Sequence, residues 1–248
     1  MKVSIITASF NSSKWLMKTY SSILSQTYTN WEWLITDDSS SDDSYSILCE
    51  IAKLDNRVKV FKNTTNSGAA VSRNKSISNA KGDFIAFLDS DDLWLPNKLE
   101  QQVSFMGETI DFSFTAYELI DENNNLLGKT VDGRQTGCFS YEDMLRKKVT
   151  LGCSTVMLRR SSFTDLSMPL LRTGQDYALW LKLLKTGVKA HVCNDVLTQY
   201  RILPNSISRN KLKKAMRQWE IYRKLEKLGI IPSLINFSFY AWRAVFRK

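Results

Sequence analysis

Acidic residues crowd two short stretches of the chain, Asp37–Asp38 and Asp89–Ser90–Asp91–Asp92. Each follows an apolar run, Trp31–Thr36 and Phe84–Leu88, so each stands at the end of a predicted strand. A third strand end is Ala8–Asn11. In an open parallel sheet, ligands bind outside the carboxyl ends of the strands, and these three tips converge there. Acidic groups in that place serve either as hydrogen-bond acceptors for a base or ribose, or as oxygen ligands for a hard divalent cation. The Asp89-x-Asp91 pair is the sharpest of them, because the backbone turns at a strand's end and lets both side chains address one ligand. Mg²⁺ and Mn²⁺ favour such oxygens, and Mg²⁺ commonly takes one or two carboxylates plus phosphate oxygens. A diphosphate bridged by that ion becomes a better leaving group. The plain alternative is a solvated acidic turn whose Asp caps the next helix.

Phosphate-binding loops of the common kinds are missing. No G-x-G-x-x-G follows a strand and no G-x-x-x-x-G-K-[ST] occurs, which argues against a dinucleotide oxidoreductase or a P-loop nucleotidase. Phosphates then fall to metal and isolated basic side chains, for which Arg73 and Arg201 are candidates. For a single arginine, the ordinary reading is a surface ion pair.

The elements that position these residues alternate through the first half. Val3–Phe10, Trp31–Thr36, Val58–Phe61 and Phe84–Leu88 read as strands. Helical stretches lie between them, to about Gln26, over Asp42–Leu54 and over Ala69–Ala80, with another from Pro96 to Met106. This order predicts an α/β fold, a mostly parallel sheet with helices on both faces. In the second half, Phe112–Ile120 and Leu126–Val131 flank a turn-rich Asp121–Asn125 and predict a hairpin. Ser154–Leu158, Val188–Val192 and Leu197–Ile202 read as further strands, and Gln175–Lys185 as a helix ended by Gly187.

Composition narrows the class. The 248 residues include 7 Trp, 9 Tyr and 12 Phe, enough for a real core. Four scattered cysteines without C-x-x-C read as buried thiols in a reducing compartment. The single histidine, His191, lies in an apolar run and reads as a strand residue, which argues against a Ser-His-Asp triad or a zinc site with several histidines. Met1 runs directly into VSIITASF, so no export signal is predicted, and no run of about 18 apolar residues predicts a transmembrane helix. The net charge is +9. Residues 209–248 hold eleven basic and two acidic residues and carry the whole excess, whereas residues 1–208 are balanced.

The text VSIITASFN, SILSQTYTNWEWLITDDSSSD, NSGAAVSRNKSISNAKGDFIAFLDSDDLWLPNKL, QDYALWLKLLKTG and YRILPNSIS, spread over residues 3–208, resembles the family 2 glycosyltransferases of GT-A type, close to bacterial enzymes of surface-polysaccharide synthesis. The resemblance implies a Rossmann-like GT-A domain over 1–208, with a nucleotide-binding half (1–106) and an acceptor-binding half (107–208). It implies transfer of one hexose or N-acetylhexosamine from a UDP-sugar, with inversion. Ala8 and Phe10 would lie near the uracil, and Asp38 would accept from the base. Arg73 would lie beside the nucleotide, with Asp89 and Ser90 near the ribose or metal. Asp91, with Asp89, would hold Mn²⁺ or Mg²⁺. Asp176 would be the general base, where its bare context reads as a helix N-terminal acid. Two positions depart from the family pattern: Gln175 replaces the acid that commonly precedes the base, and Leu203 replaces the histidine of Y-R-x-H.

Residues 209–248 form the last unit. Leu212, Met216, Trp219, Tyr222, Leu225 and Leu228 make one apolar stripe among Lys and Arg, and Leu234–Phe246 is apolar nearly all round. These amphipathic helices are expected to meet an anionic membrane surface at the inner face of the cytoplasmic membrane, near a polyprenyl-linked saccharide acceptor. The alternative is packing on the domain or a partner subunit. Nucleic acid is not expected, since no recognised module is present. The alternatives to a transferase are a sugar-nucleotide pyrophosphorylase, which needs a Gly-rich basic loop where TASFNSS stands, and a non-catalytic scaffold.

Overall fold

The computed structural model describes residues 1–203 and 211–246. The expected boundary at 208/209 and the end of the YRILPNSIS segment lie outside the described residues.

Strand β1 (Val3–Ser9) leads to helix α1 (Ser13–Leu24), β2 (Trp31–Asp37) to α2 (Ser44–Leu54), and β3 (Val58–Lys62) to α3 (Ala69–Ser78). Next, β4 (Phe84–Phe87) passes through the two-residue β5 (Leu93–Trp94) to α4 (Lys98–Met106). The second half holds β6 (Phe112–Ile120), β7 (Leu126–Val131), β8 (Cys138–Phe139), α5 (Tyr141–Leu145), β9 (Val156–Arg159), α6 (Gln175–Leu184) and β10 (Ala190–Arg201). Helix α7 (Lys211–Glu220) continues into a π-helical turn, Ile221–Leu225, and α8 (Ile230–Phe246) follows. The strands form one sheet in the order β3-β2-β1-β4-β9-β6-β10-β5, with β7 on β6 and β8 on β10. Neighbours from β3 to β4 are parallel, as are β6 and β10, while β9 runs antiparallel between β4 and β6.

Side-chain alternation sorts the apolar residues of this sheet to two faces. Val3, Ile5, Trp31, Trp33, Phe84 and Ala86 point to one side, where α1, α2 and α4 supply Leu16, Ile23, Leu48 and Leu99. Ile6, Leu34, Ile85 and Phe87 point to the other, against Ala70 of α3, Met144 of α5 and Trp180 of α6. Trp180 meets Phe87 edge-on at 5.3 Å between ring centroids. Parallel strands covered on both faces need such continuous apolar runs, and β2 is buried along its whole length.

One charge survives inside β2. The Glu32 carboxylate accepts from Ser4 Oγ at 2.7 Å, Lys2 Nζ at 2.9 Å, Lys59 Nζ at 3.0 Å and the Lys81 backbone N–H at 2.8 Å. Burial alone would raise its pKa, but these donors overcome that and bring it from 4.5 down to about 2.

Two expectations are corrected, and the C-terminal stripe packs in part on the domain. The two strands expected over Val188–Val192 and Leu197–Ile202 are one strand, β10, whose pairing with β6 shifts register between Cys193 and Thr198. Its exposed Asn194 and Asp195 bulge out and look like a turn in sequence, while β6 pairs on both sides of them. The cysteines are not uniformly buried: Cys153 and Cys193 are, Cys49 is half-buried and Cys138 is exposed. The C-terminal stripe does not stand apart either. Ile221 and Tyr222 lie in the same apolar cluster as Trp180, and the Tyr222 hydroxyl donates to the Leu145 carbonyl at 2.5 Å. Glu226 accepts from Tyr141 and Lys185, and Trp219 packs edge-on against Phe237 of α8.

Two measurements follow from this packing. Tyr222→Ala should cost about 3–5 kcal/mol in urea unfolding, the usual price for a fully buried aromatic; a loss under about 1 kcal/mol would mean that the C-terminal helices add nothing to the core. The depressed folded pKa of Glu32 makes its contribution fully present above its unfolded value near 4.5 and lost as pH falls toward about 2. Glu32→Gln should therefore lower stability at neutral pH and flatten its decline over that window.

Candidate active site

Because β1, β2 and β4 are parallel, their last residues come out at one edge of the sheet. The chain turns sharply there: Asn11 and Ser39 both adopt left-handed backbone conformations, with φ of 49° and 62°. Asn11 Oδ1 accepts from the Ser41 N–H at 2.9 Å, and the Asp37 carboxylate accepts from the Ser40 N–H at 3.0 Å and hydroxyl at 2.5 Å. The tips of β1 and β2 are thus tied together, leaving Ala8 half-buried and Phe10 exposed beside them. Asp38 is buried, and its carboxylate accepts from Asn63 Nδ2 at 2.8 Å, the Ser67 N–H at 2.9 Å and the Gly68 N–H at 2.7 Å. It therefore holds the loop that opens α3. Gly68, with φ of 92°, supplies the turn that lets that N–H approach.

The tip of β4 concentrates charge. Arg73, from the first turns of α3, is buried and donates through Nη2 to Asp89 Oδ1 at 2.5 Å. Its Nε and Nη1 are buried without an acceptor among the described residues, donors that a ligand would satisfy. Burial works against this guanidinium's charge, but Cys153, Asp89 and Asp176 around it more than offset that and hold its pKa above the ordinary arginine value. Asp92 is buried and accepts from the Arg201 N–H at 2.8 Å and Ser154 Oγ at 2.5 Å. Burial, then the charges of Asp91 and Asp89, push its pKa well up. Ser90 turns its hydroxyl to Ser12 Oγ at 2.8 Å. Arg201 is also buried, donating through Nε to the Asp91 carbonyl and through Nη1 to the Asp121 carbonyl, both at 2.7 Å. Neither arginine is the surface ion-pair residue that a lone arginine suggests, and Arg201 holds the acidic loop by its backbone.

Asp91 is the carboxylate left least compensated. Burial, followed by the neighbouring charge of Asp89, raises its pKa to about 6, with Arg201 and Arg73 acting the other way. Asp91, with the neighbouring Asp89, could hold a divalent cation. No group of three or more His, Cys, Asp or Glu is arranged to hold a metal among the described residues. The donor set therefore suits an ion that completes its shell with diphosphate oxygens and water, as Mg²⁺ does. Leu203 adds no imidazole.

Asp176 enters from the second half, in the first turn of α6. With Arg73 and Asp89 it lines one cavity of about 630 Å³. Ala8, Phe10, Asp38, Ser90 and Asp91 do not line that cavity and lie along the strand tips. The residue before α6, Gly174, has φ of 75°, and a Cβ there would sit 3.3 Å from Ile221 Cδ1. The C-terminal segment thus presses on the turn that carries Asp176. Its neighbour Gln175 also lines the cavity, with Oε1 buried and unpartnered. Sequence reasoning missed Asp92, Ser154 and the cavity residues of α7. Their only signals were a third acid in a row of polar residues and an apolar stripe readable in two ways.

The sheet, with helices on both faces and acidic residues at its strand tips, has the GT-A glycosyltransferase fold. The chain belongs to glycosyl transferase family 2, whose sequence profile matches residues 4–166. It is 41% identical over 247 residues to TuaG of Bacillus subtilis (strain 168), a glycosyltransferase named for teichuronic acid biosynthesis, covering 99% of this chain and 97% of that one. It is likewise 41% identical over 221 residues to an Escherichia coli protein, WfgD, named UDP-Glc:alpha-D-GlcNAc-diphosphoundecaprenol beta-1,3-glucosyltransferase, covering 88% of this chain and 84% of that one. Among solved structures, S. aureus TarS 1-349 in complex with UDP-GlcNAc superposes with a TM-score of 0.73 at 21% identity, covering 90% of this chain and 65% of that one. The chain therefore spans less than two thirds of the TarS chain. Mannosyltransferase PcManGT from Pyrobaculum calidifontis, in complex with GDP-Man and Mn²⁺, gives 0.73 at 16% identity, covering 99% and 70%. These two show the shared fold.

The backbone bonds of Arg201 make a prediction. Arg201→Met strands the Asp91 and Asp121 carbonyls and should cost about 1–3 kcal/mol of stability. It should also weaken nucleotide binding, measured by calorimetry with and without Mn²⁺. Unchanged nucleotide binding would mean that the acidic loop keeps its shape without the guanidinium.

Proposed function

We propose that the protein transfers a single hexose or N-acetylhexosamine, with inversion, from a UDP-sugar to a saccharide carried on a polyprenyl diphosphate, in bacterial surface-polysaccharide assembly. The observation that carries this reading is one cavity lined by Asp89 and Arg73 from the nucleotide half and by Asp176 from the acceptor half. Support for the donor comes from the TarS complex with UDP-GlcNAc and from the name of WfgD, and support for the acceptor from the same name.

In this reading the acceptor hydroxyl attacks the anomeric carbon from the side opposite the diphosphate, and its proton passes to the Asp176 carboxylate. The bond from the anomeric carbon to the diphosphate oxygen breaks, its electron pair leaving with UDP. Ala8 and Phe10 flank the uracil, Asp38 lies at the base, and Ser90 and Asp89 lie toward the ribose. Arg73 directs Nε and Nη1 toward the nucleotide. Asp91, with Asp89, would hold a Mn²⁺ or Mg²⁺ ion, which would supply neutralisation of the charge on the leaving diphosphate.

No helix among the described residues is long and apolar enough to cross a membrane. Helix α8 nevertheless exposes Ile231, Leu234, Ile235, Trp242 and Phe246 along one side, and the C-terminal region is basic. This supports peripheral association with an anionic membrane at its inner face, where a lipid-linked acceptor would be found.

EDTA should abolish transfer, and Asp91→Ala should nearly do so. Asp176→Asn should lower kcat by roughly 10²–10⁴ while UDP binding persists, as expected for loss of a general base. Turnover of Asp176→Asn within a few-fold of wild type would remove Asp176 as the base. Absence of UDP release with any UDP-sugar and lipid diphosphate acceptor would remove the whole reading.

A further inference from the structure

The cavity beside Asp176 is closed on one side by the C-terminal helices, and that side is basic. Helix α7 contributes Lys213, Lys214 and Arg217, and α8 contributes Tyr240 and Arg243. Lys147 and Arg172 join them from the body of the protein. Against these cations and Arg73, the carboxylates on the lining are Asp89 and Asp176, and Asp89 is already paired with Arg73. Two of the cations lack a protein anion among the described residues. Arg172 Nη1 donates to the neutral Asn66 Oδ1 at 3.0 Å, and Lys214 makes no hydrogen bond or ion pair among the described residues. Lys214 is exposed on α7, but partial desolvation of its ammonium at the cavity wall pushes its pKa below the ordinary lysine range. Arg217 is fixed in place, its Nε donating to Thr173 Oγ1 at 3.0 Å and its Nη1 to Glu220 at 2.8 Å. That leaves its Nη2 edge for a ligand, and guanidinium edges and ammonium groups of this kind suit phosphate oxygens.

The other side of the same helix narrows the ligand. Tyr240, Arg243 and Ala244 of α8 line the cavity, whereas Ile231, Ile235, Trp242 and Phe246 lie exposed on the rest of its surface. At 17 residues, α8 runs about 25 Å. A cationic cavity wall that continues into an exposed apolar face matches a molecule in which phosphate adjoins a long apolar chain. A nucleotide sugar has no such chain, and in the reading above its diphosphate is placed by Asp91.

We propose that Arg172, Lys214 and Arg217 form a subsite for the diphosphate of the lipid-linked acceptor, with the prenyl chain leaving along the exposed face of α8. This deepens the function proposed above and rests on it. The C-terminal helices then select the acceptor as well as approach the membrane: the diphosphate is read beside the base, and the saccharide attached to it is thereby set at Asp176. Each charge-assisted contact of this kind is worth roughly tenfold or more in affinity.

The test uses the full chain and three soluble probes: N-acetylglucosamine on a short alkyl diphosphate, on the alkyl monophosphate, and on the alkyl alcohol without phosphate. Wild-type kcat/KM should fall by roughly 100-fold from the diphosphate to the phosphate-free probe. In Arg172→Gln/Lys214→Gln, acceptor KM for the diphosphate probe should rise by roughly tenfold or more, with the KM for UDP-sugar within about twofold and the probe preference largely erased. Retained UDP affinity reports that the variant is folded, and the wild-type probe series stands even if it is not. Equal wild-type use of the diphosphate and phosphate-free probes overturns the subsite while leaving the transferase reading intact. A rise in donor KM alone overturns it too, by assigning these cations to the nucleotide. Reduced binding of the variant to phosphatidylglycerol vesicles, with acceptor KM unchanged, overturns it in favour of bilayer headgroups. Failure of wild type to transfer to any probe, despite releasing UDP from the donor, instead removes the lipid-acceptor reading itself.

Discussion

Three carboxylates within four residues, at the end of one buried strand, repel one another, and much of the surrounding structure answers that repulsion. Each acid is handled differently. Asp89 is paired with Arg73, a guanidinium drawn from a helix sixteen residues earlier. Asp92 is buried under Ser154 and the backbone of Arg201, whose hydroxyl and N–H donate to its two oxygens. Asp91 has neither solution, and burial beside Asp89 raises its pKa to about 6, which is why the proposed reading sets the cation there. Removing a compensating partner from a buried charge costs more than the pair contributes, so the neighbours of this strand tip are under tight constraint. Arg201 meets that constraint from the far side of the sheet, carrying the end of β10 against the loop after β4.

Much of the fold could be read from local pattern because parallel strands covered on both faces are spelled out as uninterrupted apolar runs. The run Val3–Thr7 and the run Phe84–Leu88 each divide cleanly between the two faces. The acidic tips were legible for the same reason, since they follow those runs directly. What escaped depended on partners distant in the chain. Asp92 and Ser154 are 62 positions apart, and Arg201 lies 110 from the carbonyl it binds, so no window of sequence shows why those residues are needed. Arg73 looked like a surface residue because nothing local marks its burial. Strand β10 looked like two because Asn194 and Asp195 have the composition of a turn, and only the pairing to β6 on both sides reveals a bulge.

The basic C-terminal region was ambiguous for a different reason. A stripe of apolar residues among lysines and arginines satisfies a membrane surface and a protein groove equally well. Its geometry answers both in part. Ile221 and Tyr222 enter the core, Lys213, Lys214 and Arg217 turn to the cavity, and α8 keeps an apolar side exposed. The net charge of +9 is therefore not one property of the molecule: some of it faces the reaction space and some faces outward.

The wedge of Ile221 against Gly174 carries a consequence in time. The strand tips with their acids are synthesised first, and the turn bearing Asp176 follows them. The residues that brace that turn and wall the cavity follow both, in α7, the π-helical turn and α8. A nascent chain therefore exposes its acidic loop before α7 and α8 exist to enclose it. Closure of this site waits on those helices, so a chain cut short of α7 lacks the enclosure as well.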